Sequence, residues 1–377
     1  MIKVQQYETN LRELIEENGY TFKEISEETG ISLSALFIYA RGERSIPHES
    51  RYKIARVIGC SVTDVVSKRQ LQKEVSKKIV TDDLLTELED ELANRWNLYH
   101  TVGAKYAYLG LDTKLQELDK LAQFAEGTRW SNQALMLLAM GYQLQSCVLR
   151  DMMDYKQSHI AYQKAFDVAR MLEDQELMVS ALAREGVTLI QQEKPQEAVI
   201  YLVGALNLLD DHGSLVLRGY ILQGISEAYA KVARADESWR SIEQAEKYQT
   251  ECVCIQERSL IRGVTTASIA AQKGVNAVLL REHQRAITLI DESLKTYDTS
   301  LTRGYARLLI QKAEASLGLE TIDACVHHAL EALSLAKGAG SSKTIARVQT
   351  LHNCLQQSHW RKEPSVIRLG MALKGNR

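Results

Sequence analysis

Small residues recur in this chain at a fixed interval, and no other feature constrains the fold as tightly. Ala125, Ala165, Ala205 and Ala245 stand 40 residues apart, each among apolar residues at helical spacing. A fixed period of this length marks a stacked repeat, in which one supersecondary unit buries its apolar face against the next. Only 3 Pro and 21 Gly punctuate 377 residues, and Phe and Trp number 4 each, so turns are scarce and β-favouring aromatics thin. Beyond residue 81 no strand-like alternation persists, so the repeating unit is a helical hairpin and the chain is all-α. Its length allows two or three domains.

The best-formed unit runs from Gly186 to Ala205, where Gly186, Leu189, Ala198, Leu202 and Ala205 fall at the characteristic small and apolar positions of a tetratricopeptide (TPR) repeat, which it resembles. The next unit keeps Tyr229 and Ala245 but has Ser226 and Ser238 for the usual Gly and Ala; the preceding one keeps Tyr162 and Ala165. Later copies place Ala286, Ile290 and Ser293, then Cys325, Ala329 and Ala332, with 48 residues from Ala245 to Ser293 and 39 from Ser293 to Ala332. The resemblance implies a right-handed superhelix of TPR-like hairpins over residues 82–340, its inner wall lined by the first helix of each pair. Aligning the copies puts Asn97, Gln143, Arg150, Gln191, Gln223, Glu227, Arg258, Arg262, Arg303, Arg307 and Gln311 on or near that wall. Amides and guanidinia suit an extended peptide backbone or its terminal carboxylate. Residues 341–377 then form a capping or dimerisation helix and tail, with Ile345, Val348, Leu351 and Leu355 on one face of the Ser342 to His359 helix.

Ahead of the array, charge is segregated. Residues 8–28 carry seven glutamates against two basic side chains, whereas residues 41–78 carry ten basic against four acidic ones, a net +6. An anion-facing side is expected on the second stretch. Start and stop signals divide this region into five short helices. Thr21-Phe22-Lys23-Glu24 is a capping box, Gly30 suits a left-handed turn, Ser32 caps the helix that follows, Pro47 suits a first helical turn, and Ser61-Val62-Thr63-Asp64 is a second capping box. Read together, Thr21 to Asp64 resembles the Cro/repressor or XRE class of helix-turn-helix domains, through the GIS turn at Gly30 to Ser32, the RGER loop at Arg41 to Arg44, and KIARVIGCS at Lys53 to Ser61.

That resemblance implies a DNA-binding domain over residues 1–66, joined by a basic linker at 67–81, whose third helix enters the major groove of an operator. The contacts carried over are Leu33, Ser34, Phe37 and Ile38, with Arg41 and Arg44 on phosphates. The sequence departs from the class where Leu33 and Ile38 replace polar side chains and Phe22 replaces a phosphate-binding amide. Without Arg, Lys, Asn or Gln at those places, bidentate reading of purines is not expected, and contact with thymine methyls is what remains.

Six scattered cysteines, Cys252-Val253-Cys254 among them, read as reduced structural thiols. No Walker loop, G-x-G-x-x-G after a strand, H-E-x-x-H or G-x-S-x-G is present, so neither an enzyme nor a cofactor is expected. His327-His328 reads as a surface pair, since adjacent helical residues point apart. No stretch approaches a membrane span or a signal-like apolar region, which gives the expectation of a cytoplasmic protein. An XRE-type domain joined to a TPR-like array resembles the RRNPP group of bacterial and phage peptide-pheromone regulators. That implies a homodimeric transcriptional regulator with two partners, an operator duplex and a short quorum-sensing peptide or a protein. The competing reading is an interaction scaffold whose helix-turn-helix serves protein contact.

Overall fold

The computed structural model describes residues 7, 9–67, 80–209, 213–253 and 265–375, the side chains of 252 and 253 excepted. Regular secondary structure among them is helical throughout, and none of these helices is long and apolar enough to cross a membrane. They divide into two compact units, one holding residues up to 86 together with 119–134, the other 87–118 and 135 onward.

The first unit begins with α1 (Leu11–Glu17), α2 (Phe22–Thr29), α3 (Leu33–Ala40) and α4 (His48–Ile58). The expected caps form. The Thr21 hydroxyl accepts from the Glu24 N–H at 3.3 Å while the Glu24 carboxylate accepts from the Thr21 N–H at 2.7 Å. Gly30 turns the chain at φ 71°, a conformation glycine adopts without strain, and the Ser32 hydroxyl accepts from the Ala35 N–H. Leu11, Ile15, Ile25, Leu36, Ile54 and Val65 are fully buried in one core. The fifth helix expected at Ser61 is instead a single turn. Asp64 accepts from the Ser61 N–H at 2.9 Å, one arm of the capping box, while the Ser61 hydroxyl accepts from the Thr63 N–H at 3.3 Å; Val65 and Val66 are then drawn into the core and Val66 forms an antiparallel bridge with Thr9. A cap starts a helix only where the residues after it are free to continue it. The expected linker lies almost wholly outside the described residues.

The later part of the chain comprises α5 (Asp82–Thr101), α6 (Ala104–Tyr108), α7 (Leu111–Ala125) and then paired helices. The pairs are α8 (Ser131–Asp151) with α9 (Tyr155–Met171), α10 (Gln175–Gln191) with α11 (Pro195–Leu208), α12 (Leu215–Lys231) with α13 (Ala235–Val253), α14 (Thr266–Leu279) with α15 (His283–Thr296), α16 (Thr302–Gly318) with α17 (Ile322–Ala339), and α18 (Ser342–Gln357) with α19 (Pro364–Lys374). Small residues set 12 apart let the helices of a pair approach: Ser146 and Ser158, Gly186 and Ala198, Ser226 and Ser238, Gly274 and Ala286, Ala313 and Cys325, all buried. Where both are serines, the second donates to the backbone carbonyl of the first, at 2.8 Å for Ser158 and 2.9 Å for Ser238. At Gly186 a Cβ would lie 2.5 Å from Leu202 Cγ, so the close approach excludes any side chain there. The turns inside the first five pairs place a non-glycine residue in the left-handed region: Met153, Glu193, Ala233, Arg281 and Glu320, with φ from 57° to 67°.

The pairing continues past residue 340. The apolar face of α18 packs inside the chain, with Val348, Leu351 and Leu355 at most 4% exposed beside Val366 and Leu369 of α19, a helix not anticipated from the sequence. Those three side chains of the expected face are therefore already covered within the chain.

Candidate functional site

Five alternate helices, α10 to α18, turn residues one helical turn apart toward a shared cavity of about 180 Å³. Val187 and Gln191 come from α10, Gln223 and Glu227 from α12, Ser268 and Gln272 from α14, Arg303 and Arg307 from α16, Lys343 and Arg347 from α18. The i, i+4 spacing stacks each pair on one helical face. An adjoining chamber of about 400 Å³ shares Gln191, Glu227, Lys343 and Arg347 and adds Gln311. Five of the expected inner-wall residues, Gln191, Gln223, Glu227, Arg303 and Arg307, therefore line the first chamber, and Gln311 lines the second.

The wall is charged and partly cross-linked. Arg307 donates to Glu227 at 2.8 Å and to the Gln272 oxygen at 3.3 Å; Gln272 donates to Asn276 at 2.9 Å, which donates to the Ser226 hydroxyl at 3.0 Å. Burial pushes the Glu227 carboxyl up, but Arg307, Lys343 and Lys231 together hold it below the usual carboxylate range. Arg303 stands 3.8 Å from Asp151 with its guanidinium over the Tyr99 ring at 4.3 Å. Arg347 is held by Glu314. Several buried atoms have no partner among the described residues: Asp151 Oδ2, Gln191 Oε1, Gln311 Oε1 and Arg303 Nε. Buried polar groups are ordinarily hydrogen-bonded, so these donors and acceptors, distributed over the two adjoining chambers, are open to water or to a polar ligand.

The remaining expected wall residues lie elsewhere. Gln143 is 3% exposed and joins helices, donating to the Ser180 hydroxyl at 2.8 Å and accepting from Arg184 Nε at 3.0 Å. Arg150 is buried behind Asp151, with the Tyr99 hydroxyl at 3.5 Å, while Asn97 is exposed on α5 and lines neither chamber. Arg258 and Arg262 lie outside the described residues. Sequence reasoning missed Lys343 and Arg347, although they stand 40 residues after Arg303 and Arg307, one repeat length further on. It also missed Asp151 and Gln272.

In the first unit, α3 presents Leu33, 40% exposed, and the exposed Ser34, with Phe37 and Ile38 half-buried. Phe37 stacks on Phe22, ring centroids 4.7 Å apart, and Arg12 lies 5.9 Å from the Phe22 ring centroid. Arg44 is exposed, and Arg41 is exposed but paired with Glu43 at 3.2 Å. The basic stretch is partly consumed within the fold: Arg51 is buried against the Ile46 carbonyl at 2.8 Å, and Lys53 meets Glu49 at 2.8 Å.

On α17, His327, His328 and Glu331 bring ligand atoms within 4.8 Å of one another, which the divergent directions of adjacent helical residues did not suggest. The two rings turn edge to face, centroids 5.2 Å apart, and burial, aided by Lys312 and His327, pushes the His328 imidazole down to about 4. A scan against protein-family models finds no matching family, and a search of curated proteins finds no matching relative.

Proposed function

We propose that this protein is a DNA-binding transcriptional regulator, with an XRE-type helix-turn-helix and a TPR-like array that binds a short peptide and thereby changes operator affinity. The observation that carries the peptide half is the cavity wall: side-chain pairs one turn apart on five alternate helices, with both donors and acceptors unmatched. A peptide backbone supplies N–H and C=O groups in alternation, so it answers both kinds of vacant bond, whereas a purely apolar ligand leaves them all unmet. The DNA half rests on the capped α2–turn–α3 arrangement, with Ser34, Arg41 and Arg44 exposed at or beside α3. A ligand acts on the operator only through different affinities for two states of the protein, and the usual coupling is roughly 5- to 150-fold.

A second reading has its own observation. Leu33 and the Phe22–Phe37 stack give α3 an apolar outward face, which also suits contact with another protein. One experiment separates them: selection of full-length protein on a random duplex pool, then titration of the winning duplex against a scrambled one over a range of salt, with and without peptide pools. Sequence-specific binding that weakens steeply with salt and responds to peptide supports the regulator. Weak, sequence-indifferent binding rejects it in favour of the scaffold.

A further inference from the structure

The cations on the cavity wall are not all matched. Arg303 faces Asp151, Arg307 is bonded to Glu227 and Arg347 to Glu314, but Lys343 has no carboxylate of the described residues within ion-pair distance. It occupies the first turn of α18, a 16-residue helix whose Thr344 and Arg347 also line the cavity, so the N-terminal end of that helix opens on the same space. Helix N-termini favour negative charge. Two nearly buried side chains are left open alongside: Asp151, 4% exposed with Oδ2 unpartnered, and Gln311, 3% exposed with Oε1 unpartnered.

We propose that Lys343 receives a carboxylate of the bound peptide, so that the cavity selects peptides carrying a free acid over neutral ones; this rests on the peptide reading above. The charge balance sets the class of anion. Arg307 and Arg347 are bonded to carboxylates of the protein and Arg303 stands 3.8 Å from Asp151 with its Nε still open, so among these residues Lys343 leaves the wall one positive charge in excess. A carboxylate matches that excess, whereas a phosphate dianion exceeds it. The desolvated ammonium supports the assignment: burial holds the Lys343 pKa well below the ordinary lysine value, and the repulsion of Arg307, Arg347 and Arg150, only partly offset by Glu227, is relieved by an incoming anion. Asp151 and Gln311 are then the acceptors for N–H groups further along the peptide.

The test uses the full-length protein and three N-acetylated hexapeptide pools. The first lacks Asp and Glu and ends in a free carboxylate. The second is the same pool as C-terminal amides, and the third is amidated with one Glu. Peptides retained by the protein after gel filtration are counted by mass spectrometry. The expected result is retention of the first pool roughly tenfold or more above the second, the advantage of a charge-assisted hydrogen bond. Retention of the third pool as well assigns the carboxylate to a side chain; its exclusion assigns it to the C-terminus. Lys343→Met is expected to erase the preference and Lys343→Arg to keep it, with helicity by circular dichroism confirming that both fold. Equal retention of acid and amide pools overturns the inference and leaves the peptide reading standing. Retention of none of the pools overturns the peptide reading and the inference with it.

Discussion

The outer face of α3 and the cavity wall are both helical surfaces built on one-turn spacing, yet their chemistry is opposite. On α3 the residues at that spacing, Leu33 and Phe37, are apolar and the flanking charges are largely neutralised by neighbours such as Glu43 and Glu49. On the wall the corresponding pairs are amides and ions, and several keep an open valence. An apolar surface with satisfied polar neighbours discriminates by shape and area, whereas a wall with unmatched donors and acceptors discriminates by rejecting anything that fails to meet them. On the proposed reading, base preference on DNA should therefore be weaker than the preference the wall imposes on its peptide.

The largest expected effect breaks the wall. Arg307→Ala leaves Glu227 half-enclosed without its guanidinium and should cost on the order of 2 kcal/mol at neutral pH, read by chemical denaturation. Glu227 is held below its ordinary pKa in the folded state, so its contribution is present above about pH 4.5 and fades as pH falls through the lowered value. The deficit of the variant should accordingly shrink toward pH 3; a pH-independent deficit would separate it from the ion pair.

On the other surface, Arg41→Ala with Arg44→Ala should flatten the salt dependence of duplex binding by about one unit of log–log slope for each phosphate left without its guanidinium, with little change in sequence preference. An unchanged slope removes both residues from the interface. If only Arg44 matters, the Glu43 partner has already neutralised Arg41.

A smaller effect sharpens the contrast. Lys343→Met should raise the melting temperature at neutral pH by a few degrees, on the order of 1 kcal/mol, because burial and the repulsion of Arg307, Arg347 and Arg150 outweigh the attraction of Glu227 for that charge. The folded-state pKa of Lys343 is lowered, so its charging penalty is full below that value and vanishes as pH rises to about 10.5. The two proteins should converge there. The smallest effect concerns the turns: Ala233→Gly should stabilise by less than about 1 kcal/mol, since glycine relieves the left-handed backbone at φ 58° but adds freedom to the unfolded chain.

Much of this arrangement was legible in the residues. The hairpins followed from small residues at a fixed period, because only small residues permit close helix approach and the interval repeats wherever it does. Gln191, Gln223, Glu227, Arg303 and Arg307 followed from the same register. Gln143 sits deeper, at the end of the wall where Trp96 and Tyr99 of α5 lie against the Arg184 and Arg303 guanidinia at 4.6 and 4.3 Å, whereas Arg150 is one position off the register, Asp151 being the residue 40 before Gln191. Cover by an element outside the repeat leaves no trace in the repeat itself. Lys343 was missed for a different reason: the second helix of its hairpin is only 11 residues long, and although Ser365 and Ala372 stand 40 residues after Cys325 and Ala332, the repeat was ended at residue 340 and the pair was read as a lone cap. The Ser61 box shows that a start signal fixes where a helix can begin, not that the chain will continue it.

The one-turn pairing on alternate helices also bears on how such a protein can diverge. Wall positions and the small residues that seat one helix against the next occupy different faces, so exchanging Gln223, which is outside the Arg307–Gln272–Asn276–Ser226 chain of hydrogen bonds, for another polar side chain leaves Gly274 and the packing around Ile290 untouched. Single substitutions can therefore re-tune what the cavity accepts at little cost to folding. Inserting or deleting one residue within α12, α14 or α16 is another matter: it rotates everything downstream on that helix by about 100° and exchanges wall for core. Lineages descended from this chain should therefore vary freely at these polar pairs while holding helix lengths constant, and should confine gaps to the turns.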